Sequence, residues 1–253
     1  MDYEKLFEKK NYVRENFHLI PKEALENYER AFDIQYAHNS TAIEGNTLTL
    51  AEVSIVLDDK ISIAGKDMRE IHEVENHQRA TDYVRNAISE KKSLDEKNVK
   101  DVHALLMENI FVGGVYRDVP VYIKGAVHVP PSPQTMFIQI KAFYEDLQNE
   151  FANAITCAAW THAQFVKIHP FIDGNGRTSR MIMNYQLMLD DWLPIDIPKE
   201  MRLEYFDALD KYATEGDLSS FVEIIADLEE KQLDWYIEAI NCVKERGANS
   251  ANN

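Results

Sequence analysis

Apolar residues return every three or four positions along most of the chain. That spacing predicts helices over Tyr3–Asn16, Lys22–Ile43, Leu50–Leu57, Asp67–Ser89, Asp95–Phe111, Pro133–Phe151, Ala154–Ile168, Asn175–Asp190, Lys199–Thr214 and Leu218–Glu245. Local chemistry marks several ends: Asp95 is a candidate cap, Pro133 sits in a first turn where its missing N–H is harmless, and Gly45 is a C-terminal stop. One stretch breaks the helical period. In Val115–Pro131, Val119, Val121 and Ile123 alternate and Gly125 marks a turn, which predicts a β-hairpin. The fold class is therefore all-α with one short hairpin, and the tail from Gly247 to Asn253 is expected to fray.

No proline- or glycine-rich linker, repeat or composition shift divides the 253 residues, which argues for one packed body. The net charge of −16, from 27 basic and 43 acidic side chains, argues against nucleic acid or an anionic membrane as partner. The start, Met1-Asp2-Tyr3-Glu4-Lys5, is charged, and no apolar run reaches membrane-spanning length. Two cysteines, Cys157 in an apolar helix and Cys242, fit a reducing cytoplasm better than a disulfide framework.

The chemistry concentrates in His169-Pro170-Phe171-Ile172-Asp173-Gly174-Asn175-Gly176-Arg177-Thr178-Ser179-Arg180. Pro170 stops one helix, and Gly174 and Gly176 turn the backbone into the next, so unpaired N–H groups and a helix dipole face the same point. Phosphate suits such a cradle. Arg177 and Arg180, three apart on the first turn of the second helix, bring two guanidinium forks to one face, enough for a di- or triphosphate. Asp173 just before the cradle matches the way Mg²⁺ is held, by one carboxylate plus phosphate oxygens and water. His169 is the one ordinary general base of the run. His72, His77, His103, His128 and His162 share no ligand spacing with a cysteine pair or a second acid, so zinc is not expected.

The run matches every specified position of HxFx(D/E)GNGRxxR and so resembles the signature of Fic-domain proteins. The resemblance implies a mostly helical fold and transfer of AMP from Mg·ATP to a Ser, Thr or Tyr hydroxyl of a target protein, the chain itself included. It gives His169 the role of deprotonating the acceptor, Asp173 that of binding Mg²⁺, Gly174, Asn175 and Gly176 that of cradling the phosphates, and Arg177 and Arg180 that of orienting the β- and γ-phosphates. Doc-type relatives, which act as kinases, carry lysine where this chain has Gly176. Nucleotidyl transfer is thus favoured over phosphoryl transfer.

Ser40, Glu44 and Gly45 resemble the (S/T)xxxE(G/N) motif of self-inhibited members. The resemblance implies that Glu44 pairs with Arg180 and blocks the γ-phosphate, with residues 1–60 as an N-terminal helical extension carrying the motif and 61–253 as the catalytic domain. In some relatives this glutamate also helps to remove AMP. The hairpin matches the family's flap, so Val121, Tyr122, Ile123, Lys124 and Gly125 are expected to hold the target by strand addition. A looser likeness puts Tyr205 and Thr214 on the adenine side, with Asn184 as a further candidate. Family members often form dimers or higher assemblies, so the resemblance leaves a homodimer as one open assembly. Alternative readings keep the fold but use a UMP or phosphocholine donor, or make the chain a non-catalytic nucleotide-binding regulator.

Overall fold

The computed structural model describes residues 3–123, 125–149 and 151–251, and every element among them is helical. The helices are α1 (Tyr3–Asn16), α2 (Lys22–Ala42), α3 (Leu50–Ser54), α4 (Met68–Ser89), α5 (Glu96–Leu106), α6 (Pro133–Asp146), α7 (Ala154–Ile168), α8 (Asn175–Leu189), α9 (Arg202–Glu215) and α10 (Ser219–Ala251). Caps fix several starts. Asp67 accepts from the Arg69 amide and Glu70 reaches back to complete a capping box on α4, and Thr49 with Glu52 does the same for α3. Asp95, Ser132 and Asn153 cap α5, α6 and α7 with their side chains.

Helix α8 is the axis of the molecule. Met183 and Leu187 on one side join a core with Ile43, Ala158, Trp192, Phe221 and Ile225. Met181, Ile182 and Tyr185 on the other join Phe32, Tyr36, Val84, Leu106, Phe143 and Phe165. A helix apolar on both sides must be wrapped on both, which is why α7 lies along it while α2, α4 and α5 close the far face. A smaller cluster of Ala37, Leu48, Val53, Leu57, Ile71 and Val74 pins the turn after α2 between α3 and α4. At the other end of the chain order, α1 packs along α10 through Leu6 and Val13. Among the described residues no helix is long and apolar enough to cross a membrane.

Several expectations need correction; helix α6, for one, ends at Asp146 rather than Phe151. The hairpin is absent: no strand forms among the described residues of Val115–Pro131, and Lys124 lies outside them. Its backbone groups are committed elsewhere, since the Val119 and Pro131 carbonyls accept from the Arg117 guanidinium, the Val127 amide donates to Asp210, and Pro120, Pro130 and Pro131 have no N–H. The turn itself is present at Gly125, with φ 85°. Helix α5 stops at Leu106 rather than Phe111, because Asn76 takes the Leu106 and Glu108 carbonyls and Asn109 turns left-handed at φ 58°. The tail does not fray where expected: the α10 backbone stays helical to Ala251, and Asn252 and Asn253 lie outside the described residues.

Candidate active site

The site is the junction of α7 and α8. His169 ends α7 in a left-handed conformation, φ 51° and ψ 61°, unusual for a residue with a side chain. Its amide still bonds the Phe165 carbonyl at 2.9 Å, and its own carbonyl accepts from Arg117 Nε at 2.8 Å. The conformation turns the ring out of the helix. Nδ1 lies 3.2 Å from the Val166 carbonyl, a contact that only an Nδ1–H can make, so the lone pair is on Nε2. Burial pushes the imidazole pKa down to about 4 against the opposing pull of Val166 and Glu44, leaving a neutral base near pH 7.

The following loop is braced by Asn175, whose amide group accepts from the Phe171 N–H and donates to the Phe171 carbonyl, both at 2.9 Å. The Asn175 side chain therefore shapes the cradle, and only its backbone N–H is left for a ligand. Gly174 precedes α8 at φ 77°, and no side chain caps the helix. An uncapped N-terminus with a glycine-lined approach is built for an anion.

Arg177 and Arg180 rise from that first turn, 2% and 1% exposed. Arg177 lies 3.3 Å from Glu73 and 3.5 Å from Asp173, yet its Nε and Nη1 make no hydrogen bond. Nη1 is ion-paired with Glu73, and Nε is a buried donor in need of an acceptor. Arg180 is fully occupied: Nη2 donates to Glu44 Oε1 at 2.8 Å and to the Ser40 carbonyl at 2.7 Å, Nε to Ser40 Oγ at 3.0 Å, and Nη1 to the Tyr205 hydroxyl at 3.3 Å. Glu44 also stands over the cradle, for a β-carbon placed on Gly176 would lie 2.1 Å from its Oε1. Gly45, at φ 110°, and the Asn46 N–H bonded to the Thr41 carbonyl turn the chain so that this carboxylate points inward.

Asp173 carries two roles. Oδ1 accepts from the Gly174 amide at 2.6 Å, and Oδ2 from Arg69 at 2.5 Å. Burial raises its pKa, but Arg177, Arg69 and the Gly174 amide outweigh burial and hold the carboxyl below its ordinary range. Among the described residues no three His, Cys, Asp or Glu side chains converge. A lone ionised carboxylate beside an anion cradle fits Mg²⁺, which accepts few protein ligands when phosphates and water supply the rest.

Other site expectations fare unevenly. Asn184 spends its amide on both backbone groups of Ile195 at 2.9 Å, and it is buried, so it has no edge left for a base. Tyr205 is buried too and bonds His162 at 2.9 Å as well as Arg180, so it belongs to the arginine's surroundings. Thr214 is exposed and bonds its own helix at Asp210. Core packing on α8 and α9 takes up Asn184 and Tyr205, while Thr214 stands apart at the surface.

Four residues escaped the sequence reading. Glu73 gathers Asn46, Arg69 and Arg177. Arg69 grips Asp173. His103 stacks on Phe171 at 3.5 Å, accepts from Gly114 N–H at Nδ1 and bonds the Asp173 carbonyl at 2.9 Å through Nε2. Arg117 holds the His169 carbonyl. Only the Arg69/Glu73 spacing of four was visible in the sequence.

Residues 93–187 match the model of the Fic/DOC family. Proteins named protein adenylyltransferase Fic from Drosophila grimshawi and Drosophila willistoni are 37% and 36% identical over 221 residues, 85% of this chain. The chain spans less than half of their length, 45% and 44%. A solved structure of a variant of Fic-1 from C. elegans has a TM-score of 0.81 at 30% identity and covers 94% of this chain and 72% of that one. A Fic-domain-containing signaling protein from Bacteroides thetaiotaomicron has a TM-score of 0.84 over 95% of this chain and 98% of its own, at 21% identity, a likeness of fold alone.

Proposed function

This chain belongs to the Fic family, and from that premise we propose that it is a protein adenylyltransferase, moving AMP from Mg·ATP to a hydroxyl of a target protein and held back at rest by Glu44. The observation that carries the reading is the neutral His169 beside an uncapped α8 N-terminus whose cradle is filled by the Glu44 carboxylate. In the reaction, Nε2 of His169 takes the acceptor proton as the hydroxyl oxygen bonds the α-phosphorus. The bond from that phosphorus to the oxygen bridging to the β-phosphate breaks, and pyrophosphate leaves. Gly176 and the backbone of Asn175 offer N–H groups to the phosphates, the Gly174 amide being held by Asp173, and the Arg177 guanidinium neutralises their charge. Asp173 would hold Mg²⁺, which when bound draws charge from the phosphate oxygens. Gly176 leaves the cradle open, in keeping with nucleotidyl rather than phosphoryl transfer.

Glu44 mimics a phosphate by taking the same arginine and the same glycine. Residues 1–60 then act as a regulatory extension on a catalytic body of 61–253. The acceptor docks on the segment Val121 to Gly125, whose described residues pair with no strand and whose Tyr122 is 83% exposed. The test is mass spectrometry of Glu44→Gly protein incubated with Mg·ATP, with UTP and a phosphocholine donor in parallel and Glu44→Gly/His169→Ala as control. A +AMP adduct that requires His169 is expected. Adduct formation only with another donor, or with none, overturns the reading.

A further inference from the structure

Arg117 is 1% exposed, and among the described residues no carboxylate neutralises it. A buried guanidinium without an anion is costly, so what it touches needs a reason. Among the described residues, the hydrogen bonds of its side chain all go to backbone groups. Nε donates to the His169 carbonyl at 2.8 Å, Nη1 to Val119 at 2.9 Å and Nη2 to Pro131 at 2.6 Å, while its own amide bonds the Pro170 carbonyl at 2.9 Å. One planar group therefore joins both ends of the segment 119–131 to the residue that carries the base. Between those ends the described residues make few other hydrogen bonds: His128 to the Lys167 carbonyl at 2.8 Å, the Val127 amide to Asp210 at 3.3 Å and the Ala126 amide to the Ile123 carbonyl at 3.3 Å.

We propose that Arg117 is a positioning residue for the acceptor: it fixes the register between the segment that docks the target and Nε2 of His169. The proposal rests on the adenylyltransferase reading and goes beyond it. An acceptor laid on 121–125 reaches the α-phosphorus only if those residues stand at a set distance from the imidazole, and the absent strand ladder cannot set it. The rigid five-donor fork of arginine does. Water needs no docking segment, so hydrolysis of ATP to AMP and pyrophosphate at the same site is a built-in control.

The experiment compares Glu44→Gly with Glu44→Gly/Arg117→Lys, in which a single ammonium cannot span three carbonyls. Two rates are read from each protein: incorporation of AMP into protein and release of free AMP. A drop of about a hundredfold in the ratio of incorporation to release is expected, from loss of near-attack geometry, with ATP affinity within about twofold. Limited proteolysis within 119–131 should quicken about tenfold as the tethered ends loosen. An unchanged ratio, whether both rates fall together or neither does, overturns the proposal, as does unchanged proteolysis. If the Glu44→Gly parent incorporates no AMP, it is the adenylyltransferase reading that fails, and this is seen before any Arg117 variant is compared.

Discussion

On the proposed reading, Glu44 is the residue on which the resting state turns. Its carboxylate satisfies Arg180 and covers Gly176, so ATP must displace it from both. Glu44→Gly should therefore raise ATP affinity, measured by titration calorimetry, by about 10- to 100-fold. An unchanged affinity would mean that Arg180 is held by Ser40 alone. His169 makes the complementary case. Its replacement by alanine should leave ATP affinity intact and lower transfer by about 10²- to 10⁴-fold, the usual worth of a general base. Because burial outweighs Glu44 in setting its pKa, the imidazole of the nucleotide-free protein should titrate near pH 4 by NMR rather than near 6.5. Removing Glu44 takes away a group that raises that pKa, so the midpoint in Glu44→Gly should move lower still.

Two helices bring their ends against the cradle from different sides, and each makes its own prediction. Helix α2 presents Ser40 as well as Glu44, and its C-terminal carbonyl faces Arg180, where the helix dipole favours a cation. Ser40→Ala removes one hydroxyl acceptor and leaves the carbonyl, so it should activate transfer by only a fewfold, well short of Glu44→Gly. Activation equal to Glu44→Gly would shift the lock from the carboxylate to the helix end. Helix α4 presents Arg69, which must release Asp173 before a cation can use it. In Arg69→Ala the Mg²⁺ concentration that half-saturates ATP binding should fall severalfold. A rise instead would mark Arg69 as a phosphate ligand. Elements were legible in the sequence where the apolar period ran unbroken, as at α4, α7 and α8, and so was the run from His169 to Arg180, whose members are neighbours in sequence. Glu73, Arg69, His103 and Arg117 were not, because each acts through a contact made only when distant helices pack. The hairpin failed for the same reason: alternation in 119–123 describes side chains, while Arg117 and the prolines decide where the backbone bonds go.

Across the whole molecule, packing has buried groups that would rather be charged, and they set how stability depends on pH. Burial holds His38, His77, His103, His162 and His169 below the ordinary imidazole value, with His77 at about 3 and His103 and His169 at about 4. Between about pH 4 and 6.5 the unfolded chain binds protons at these rings and the folded chain does not, so stability rises with pH. Burial acts oppositely on two carboxyls. It raises Asp196, whose one hydrogen-bonded oxygen accepts from Asn39, to about 7, and Glu229, which accepts only the Leu193 amide, to about 8. Here the folded chain keeps protons that the unfolded chain has lost, so stability falls as pH climbs to those values. Below about pH 7 the imidazoles outnumber the carboxyls; above it the unfolded imidazoles lose their last protons and the carboxyls come to dominate. Stability measured by urea unfolding should therefore peak near pH 7 and then fall, by less than about 1 kcal/mol by pH 8, each proton being worth about 1.4 kcal/mol per pH unit. Glu229→Gln and Asp196→Asn, which remove the ionisation while keeping an acceptor for Leu193 and Asn39, should flatten the alkaline limb and leave the acid limb as it was. Continued rise of stability to pH 8.5 in the unmodified protein would show that these two acids are ionised in the fold and find counter-charges there.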